Sequence, residues 1–247
     1  MKVTFVGTSS CLPDIGSDTS SFVINGRHLV DTGWCSVLRM REYDLDPLAL
    51  ESCILTHLHQ DHYLGLVQLL FYRCMSASRR PLKIIGPPPH LAQVIQAAFD
   101  YLQVSRFPEL DLRPVPVLLS PGQSLELDGL HLEATAARHV SGKGVPEPAL
   151  CCKMTELAGG ATLVFTGDTS FHPPIAKFAR GADLLIHDAG HTPAQDAAQI
   201  ATMAGVKRLL LVHYPGRQAE QLLAAARSVF PASDLATDGS TTVVGHV

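Results

Sequence analysis

Short apolar runs alternate along this chain with amphipathic stretches, and polar residues gather where the runs stop. Val3 to Val6 reads as a strand stopped by Gly7. Phe22-Val23-Ile24 and His28-Leu29-Val30 flank Asn25-Gly26, a strong two-residue hairpin signal. Ser36 to Glu42 predicts a short helix, and Glu51 to Leu55 a buried strand. From His62 onward, Leu64, Leu66-Val67 and Leu69-Leu70-Phe71 are too apolar for a solvent helix and predict one packed on a sheet. Lys83-Ile84-Ile85 is a strand broken by Gly86-Pro87-Pro88-Pro89, and Pro89 opens a helix from His90 to Gln103. The Pro-rich stretch 107–121 reads as the connection between two halves. Beyond it, Asp128-Gly129 marks a second hairpin between Leu125-Glu126-Leu127 and Leu130-His131-Leu132. Strands are predicted over 149–154, 162–165, 183–186, 208–212 and 241–244. Helices are predicted over 175–180, from the Thr192-Pro193 cap to Met203, and over 218–230. No internal repeat is visible, and residues 1–247 read as one domain of two αβ halves.

Composition narrows the class. Hydrophobic residues make up 46% and charged residues 17%, below the usual quarter for soluble domains. That predicts much buried surface and a homodimer interface. The net charge of −4 gives no support for a long polyanionic partner, although a local basic patch is compatible with it. Six cysteines lack Cys-x-x-Cys spacing, and Cys151-Cys152 are adjacent, a poor start for a disulfide framework. Cys53 and Cys152 read as buried thiols. No signal peptide opens the chain, and no apolar run reaches the ~18 residues of a membrane span. A cytoplasmic protein is the expectation.

The candidate chemistry lies where the strands end. Thr56-His57-Leu58-His59-Gln60-Asp61-His62 holds three histidines and an aspartate directly after Cys53-Ile54-Leu55. Side chains two apart on an extended segment point the same way, so His57 and His59 can grip one ion. Asp61 and His62 diverge and can reach a second. His139, Asp168, His187 and His213 likewise follow strand-like runs. One consistent set gives His57, His59 and His139 to one ion, and Asp61, His62 and His213 to the other. Asp168 bridges them, since its two oxygens can address two ions. Two divalent ions with a hydroxide between them are the design of metal-assisted hydrolysis. Zinc suits these ligands, and manganese or iron can also occupy such sites. Asp31 at its strand end either orients a metal-bound histidine or makes an Asx turn. His28, His90 and His131 read as a strand, a helix-start and a solvent-face residue respectively. His246 reads as surface.

The series Thr56-His57-x-His59-x-Asp61-His62, His139, Gly167-Asp168-Thr169 and His213 resembles the metallo-β-lactamase superfamily of hydrolases across almost the whole chain. The resemblance implies a four-layer αββα sandwich, two mixed sheets with helices outside, and it implies the ligand set just given. Gly7-Thr8-Ser9, Asp31-Thr32-Gly33, His187-Asp188-Ala189, Gly190-His191-Thr192 and Leu210-Leu211-Val212-His213 are similar to the ribonuclease Z branch. By that resemblance His191 faces the scissile phosphate as a general acid, with Asp188 orienting it. His187 is then a buried supporting residue, and His172 could line the pocket. Only 28 residues separate His139 from Asp168, with no long basic arm of the kind that clamps tRNA in that family. A small or cyclic phosphodiester is therefore the expected substrate, ahead of tRNA 3′ processing and of lactone or ester hydrolysis.

Overall fold

A computed structural model describes residues 1–245. The first half forms β1 (Lys2–Gly7), β2 (Ser21–Ile24), β3 (His28–Val30), α1 (Ser36–Glu42), β4 (Ser52–Ile54), α2 (Gln60–Tyr63), α3 (Gly65–Met75), β5 (Leu82–Gly86), α4 (Leu91–Tyr101) and β6 (Pro114–Leu118). The second forms β7 (Ser124–Leu127), β8 (Leu130–Ala136), β9 (His139–Val140), β10 (Pro146–Glu147), β11 (Leu150–Glu156), β12 (Thr162–Phe165) and α5 (Pro174–Phe178). It continues through β13 (Leu184–Asp188), α6 (Ala194–Ala204), β14 (Leu209–Val212), α7 (Ala219–Arg227), β15 (Ser233–Leu235) and β16 (Thr241–Val243). His246 lies outside the described residues.

Two seven-stranded sheets result, ordered β16-β1-β2-β3-β4-β5-β6 and β15-β14-β13-β12-β11-β8-β7. Each is mixed: β3 to β6 run parallel, as do β12 to β15, and the remaining pairs in the two sheets are antiparallel. Side chains alternating along the strands give each sheet two buried faces. The inner faces meet in one core in which Phe22 packs tilted against Phe5 and edge-on to Phe165, at 5.8 and 5.5 Å between ring centroids. The outer face of the first sheet packs against α1, α3 and α4 through Val37, Leu66, Leu69, Leu91 and Ile95. The outer face of the second packs against α5, α6 and α7 through Ile175, Ala197, Ala201 and Ala226. This is the four-layer αββα sandwich. Among the described residues, no helix is long and apolar enough to cross a membrane.

Several boundaries differ from the sequence expectation. The stretch 107–121 contains β6, parallel to β5 and at the edge of the sheet. Pro114 and Pro116 are tolerated because an edge strand need not pair on both sides. The helix expected from His62 is two helices broken at Leu64. Gly65 donates its N–H to the Gly33 carbonyl, and a Cβ there would stand 2.7 Å from the Thr32 oxygen. The helix expected from Pro89 starts at Leu91, with His90 as its N-cap residue. Thr192 does not cap α6; its hydroxyl donates to the Thr169 carbonyl, and Pro193 is the N-cap. Between His139 and Glu147 the chain folds back on itself, and β9 and β10 pair as a short antiparallel hairpin.

Candidate metal centre

The parallel strands of both sheets stop at one edge of the sandwich, and the loops leaving them carry the polar residues predicted above. His57 leaves β4, and Asp168 follows β12. Asp188 ends β13, His213 follows β14, and His139 opens β9. The two sheets are tied there by Leu150 N–H donating to the Thr56 carbonyl at 2.9 Å, and by a bridge between His57 and Ala149.

The predicted residues converge. His57, His59 and His139 each place a ligand atom within 4.8 Å of the others, and so do Asp61, His62, Asp168 and His213. Within the first group, His139 Nε2 stands 3.0 Å from His59 Nδ1. In the second, His62 Nε2 lies 3.2 Å from Asp61 Oδ2 and 3.4 Å from Asp168 Oδ2. Asp168 Oδ2 joins the groups, at 3.7 Å from His57 Nε2 and 3.6 Å from His213 Nε2. His191 stands over both: its ring stacks on that of His213 at 5.2 Å and meets that of His139 edge-on at 5.0 Å. His172 is only half-buried, and burial, with Arg138 adding to it, lowers it from the ordinary imidazole value. Buried His187 turns Nδ1 to the Asp188 carbonyl and belongs to no ligand group.

Two carboxylates hold the imidazoles in place. Asp31 accepts from Thr56 N–H at 2.8 Å, Thr56 Oγ1 at 2.9 Å and His62 Nδ1 at 2.8 Å. The alternatives at Asp31 resolve toward orienting a histidine. Asp188 Oδ1 accepts from Gly190 N–H at 2.8 Å and lies 3.1 Å from His213 Nδ1. Its Oδ2 accepts from Thr169 N–H at 3.1 Å and lies 3.3 Å from His191 Nδ1. Asp188 is buried and its oxygens are fully engaged, so it positions two histidines and does not reach the outside. Thr19 Oγ1 donates to the Asp61 carbonyl at 3.0 Å, a support that sequence spacing does not reveal. Asp31 and His213 adopt φ of 50° and 60°, a left-handed conformation costing about 1–3 kcal/mol each for such residues. Their hydrogen bonds over-determine it.

The residues fit divalent cations. His57 Nε2 and His62 Nε2 are buried without a hydrogen-bond partner among the described residues, a costly arrangement unless something else binds there. Charge points the same way. Burial pushes His57 well below the ordinary imidazole range, and His139 to about 4. Burial also acts to lower His213, but Asp168, Asp188 and Asp61 outweigh it and lift it to about 10. Burial is overcome in the same way at His62, which Asp168 and Asp31 hold well above its usual value. Burial would raise Asp168, yet His213, His62 and His57 keep it well below the carboxylate range. Without metal, protons on His62 and His213 thus balance Asp61 and Asp168. A cation held by these nitrogens must displace those protons. Metal uptake by stripped protein is expected to release protons, and its apparent affinity to fall as pH is lowered. Calorimetry in two buffers of different ionisation enthalpy measures this, and identical heats in both would contradict it.

Packing leaves little slack. A Cβ at Gly190 would stand 2.5 Å from the His213 carbonyl oxygen and 2.6 Å from His213 Nδ1. Gly190→Ala is therefore expected to destabilise the chain by about 1–3 kcal/mol. A thermal melt of the variant indistinguishable from wild type would count against this packing.

The family description "Beta-lactamase superfamily domain" matches residues 27–214, and the chain belongs to this family. It is a metal-dependent hydrolase of the metallo-β-lactamase superfamily, whose fold implies divalent metal ions. Its relatives include Ribonuclease BN of Cronobacter sakazakii, 29% identical over 305 aligned positions covering 99% of this chain and 100% of that one. Ribonuclease Z of Archaeoglobus fulgidus is 26% identical, over 96% of this chain and 95% of its own. The metallo-beta-lactamase fold protein YhfI of Bacillus subtilis superposes with a TM-score of 0.80 at 25% identity, over 98% of each chain. Human tRNase Z, short form, shares the fold with a TM-score of 0.79 at 23% identity, over 100% of each chain.

Proposed function

We propose that the chain hydrolyses phosphodiesters with a dinuclear centre, and that its substrate is the 3′ region of a precursor tRNA; the ribonuclease names of its relatives and the resemblance to the ribonuclease Z branch support this. The observation that carries the chemistry is the pair of ligand groups with Asp168 Oδ2 between them, 3.7 Å from His57 Nε2 and 3.4 Å from His62 Nε2, and with the part-exposed His191 above them. His57, His59 and His139 would hold one ion, Asp61, His62 and His213 the other, and Asp168 both. Zinc is the ion this nitrogen-rich set suits best. Two such ions supply Lewis acidity at phosphoryl oxygens and an activated water. Asp31 and Asp188 fix the tautomers of His62 and His213 by holding Nδ1–H, which leaves Nε2 free for the centre. His191 gives its Nδ1–H to Asp188, and its part-exposed ring would hand a proton from Nε2 to the leaving oxygen.

The naming of relatives reverses the order of substrates expected from the sequence alone. A small phosphodiester stays as the second reading because of one observation. The Cronobacter alignment spans 305 positions against 247 residues here, so at least 58 positions of the relative have no counterpart. Between His139 and β11 this chain has only the β9–β10 hairpin, in which Lys143 is the one cation. Precursor tRNA and bis(p-nitrophenyl) phosphate, assayed side by side with metal-loaded protein, separate the two. Cleavage of the tRNA 3′ trailer supports the first reading; turnover of the small ester alone supports the second; turnover of neither refutes both.

We also propose that 1–247 folds as one unit and pairs as a homodimer through the outer helices of the first half. Leu38, Phe71, Met75 and Tyr101 are exposed there. Light scattering of the full chain tests the pairing.

A further inference from the structure

Beside the first histidine group lies a cavity of about 20 Å³, walled by His57, His59, Pro88, His90, Glu147 and Pro148. A space of that size holds about one water molecule or one hydroxyl group. Two of its walls are imidazoles of the proposed centre. The others arrive from distant parts of the chain, the entry to α4 and strand β10.

Glu147 gives the cavity its chemistry. Its Cα pairs with that of His139 across β9–β10, which keeps it beside the centre. It is half-buried, and its carboxylate has no hydrogen bond or ion pair among the described residues. An ionised carboxylate only accepts hydrogen bonds. Neither proline wall can donate one. His90 Nδ1 is engaged by Gln93 Oε1 at 2.5 Å, which ties the ring to its own helix. An anionic acceptor here repels a second phosphate and welcomes a donor.

We propose that this cavity is a hydroxyl-recognition subsite: Glu147 accepts a hydrogen bond from a hydroxyl on the group esterified to phosphorus, a sugar hydroxyl where that group is a nucleoside. The inference rests on the phosphodiester reading above and adds what that reading leaves open, namely how the centre distinguishes one esterified group from another. A site built to bind a hydroxyl rejects the analogue lacking it more strongly than an apolar pocket rejects an extra group.

The test uses metal-loaded full-length protein as wild type, Glu147→Gln and Glu147→Ala. Calorimetry gives the affinity of each for adenosine 5′-monophosphate and for its 2′,3′-dideoxy counterpart. The wild type is expected to prefer the hydroxylated nucleotide by about 10–100-fold, the range of a hydrogen bond to a charged group. Glu147→Ala is expected to bring the two within about twofold, and Glu147→Gln, which keeps a carbonyl acceptor, to fall between. Equal affinities in the wild type, an unchanged preference in Glu147→Ala, no binding of either nucleotide, or loss of metal from that variant would each overturn the proposal. Bis(p-nitrophenyl) phosphate carries no hydroxyl, so its turnover by the wild type tests the phosphodiester reading separately. A nucleotide preference with neither that turnover nor cleavage of precursor tRNA would leave the subsite standing and sink the reading.

Discussion

Asp168→Ala is expected to abolish measurable turnover of bis(p-nitrophenyl) phosphate and to lower the metal content of the purified chain from two ions toward one. The loss should exceed the roughly 10–100-fold that changing a residue behind the ligands costs. Asp168 Oδ2 is the atom that approaches His57, His62 and His213 together, at 3.7, 3.4 and 3.6 Å. Removing it deletes the carboxylate that stands between the two groups and leaves three buried nitrogens facing one another. In the metal-free chain it also takes away a charge that keeps His62 and His213 protonated. Asp168→Asn separates the contributions, because it preserves the shape and removes the charge. If shape alone mattered, Asn would restore activity; the expected result is that it does not. Metal analysis by atomic emission and the ester assay together check both parts. An Asp168→Ala protein with two ions and wild-type turnover would remove the basis for a shared ligand.

The candidate ligand residues are legible in the sequence because the chemistry admits few residue types and because rigid strand ends are where such residues are held. His57 to His62 sit within one short loop, so spacing alone brings them together. His139, Asp168 and His213 are far apart in sequence, yet each follows an apolar run that could only be a strand. What spacing could not show depends on neighbours through space. Asp31 could equally have turned into its own loop; only the fold brings His62 Nδ1 to 2.8 Å from it. Thr192-Pro193 has the composition of a helix cap, but a carbonyl from the Asp168 loop takes the hydroxyl instead. Strand β6 hid behind its prolines, since the pattern cannot say that a strand lies at an edge. Strand β15 spans just Ser233–Leu235, too short to show a period. Glu147 carried no signal at all. Its significance comes from the two-residue strand that sets it opposite His139.

His191→Ala is expected to lower kcat by about 10²–10⁴ on an ester with a poor leaving group while leaving KM nearly unchanged. The same change should matter little for bis(p-nitrophenyl) phosphate, whose phenolate leaves without a proton. That contrast distinguishes a proton donor from a structural residue, because misplaced metals would slow both esters alike. The geometry supports the donor role: the His191 side chain is 40% exposed, whereas those of His57, His62 and His213 are buried, and its Nδ1 is anchored 3.3 Å from Asp188 Oδ2. The pH dependence has a definite sign. The hydrogen bond to Asp188, opposed by burial, raises the His191 imidazolium above its ordinary value. An acid works only while protonated, so at saturating metal the turnover of the poor ester should fall as pH rises through the His191 pKa. Asp188→Asn removes the charge that raises it and should move that alkaline limb to lower pH. His191→Ala should erase the limb, and a limb that persists in this variant would assign the proton to another group.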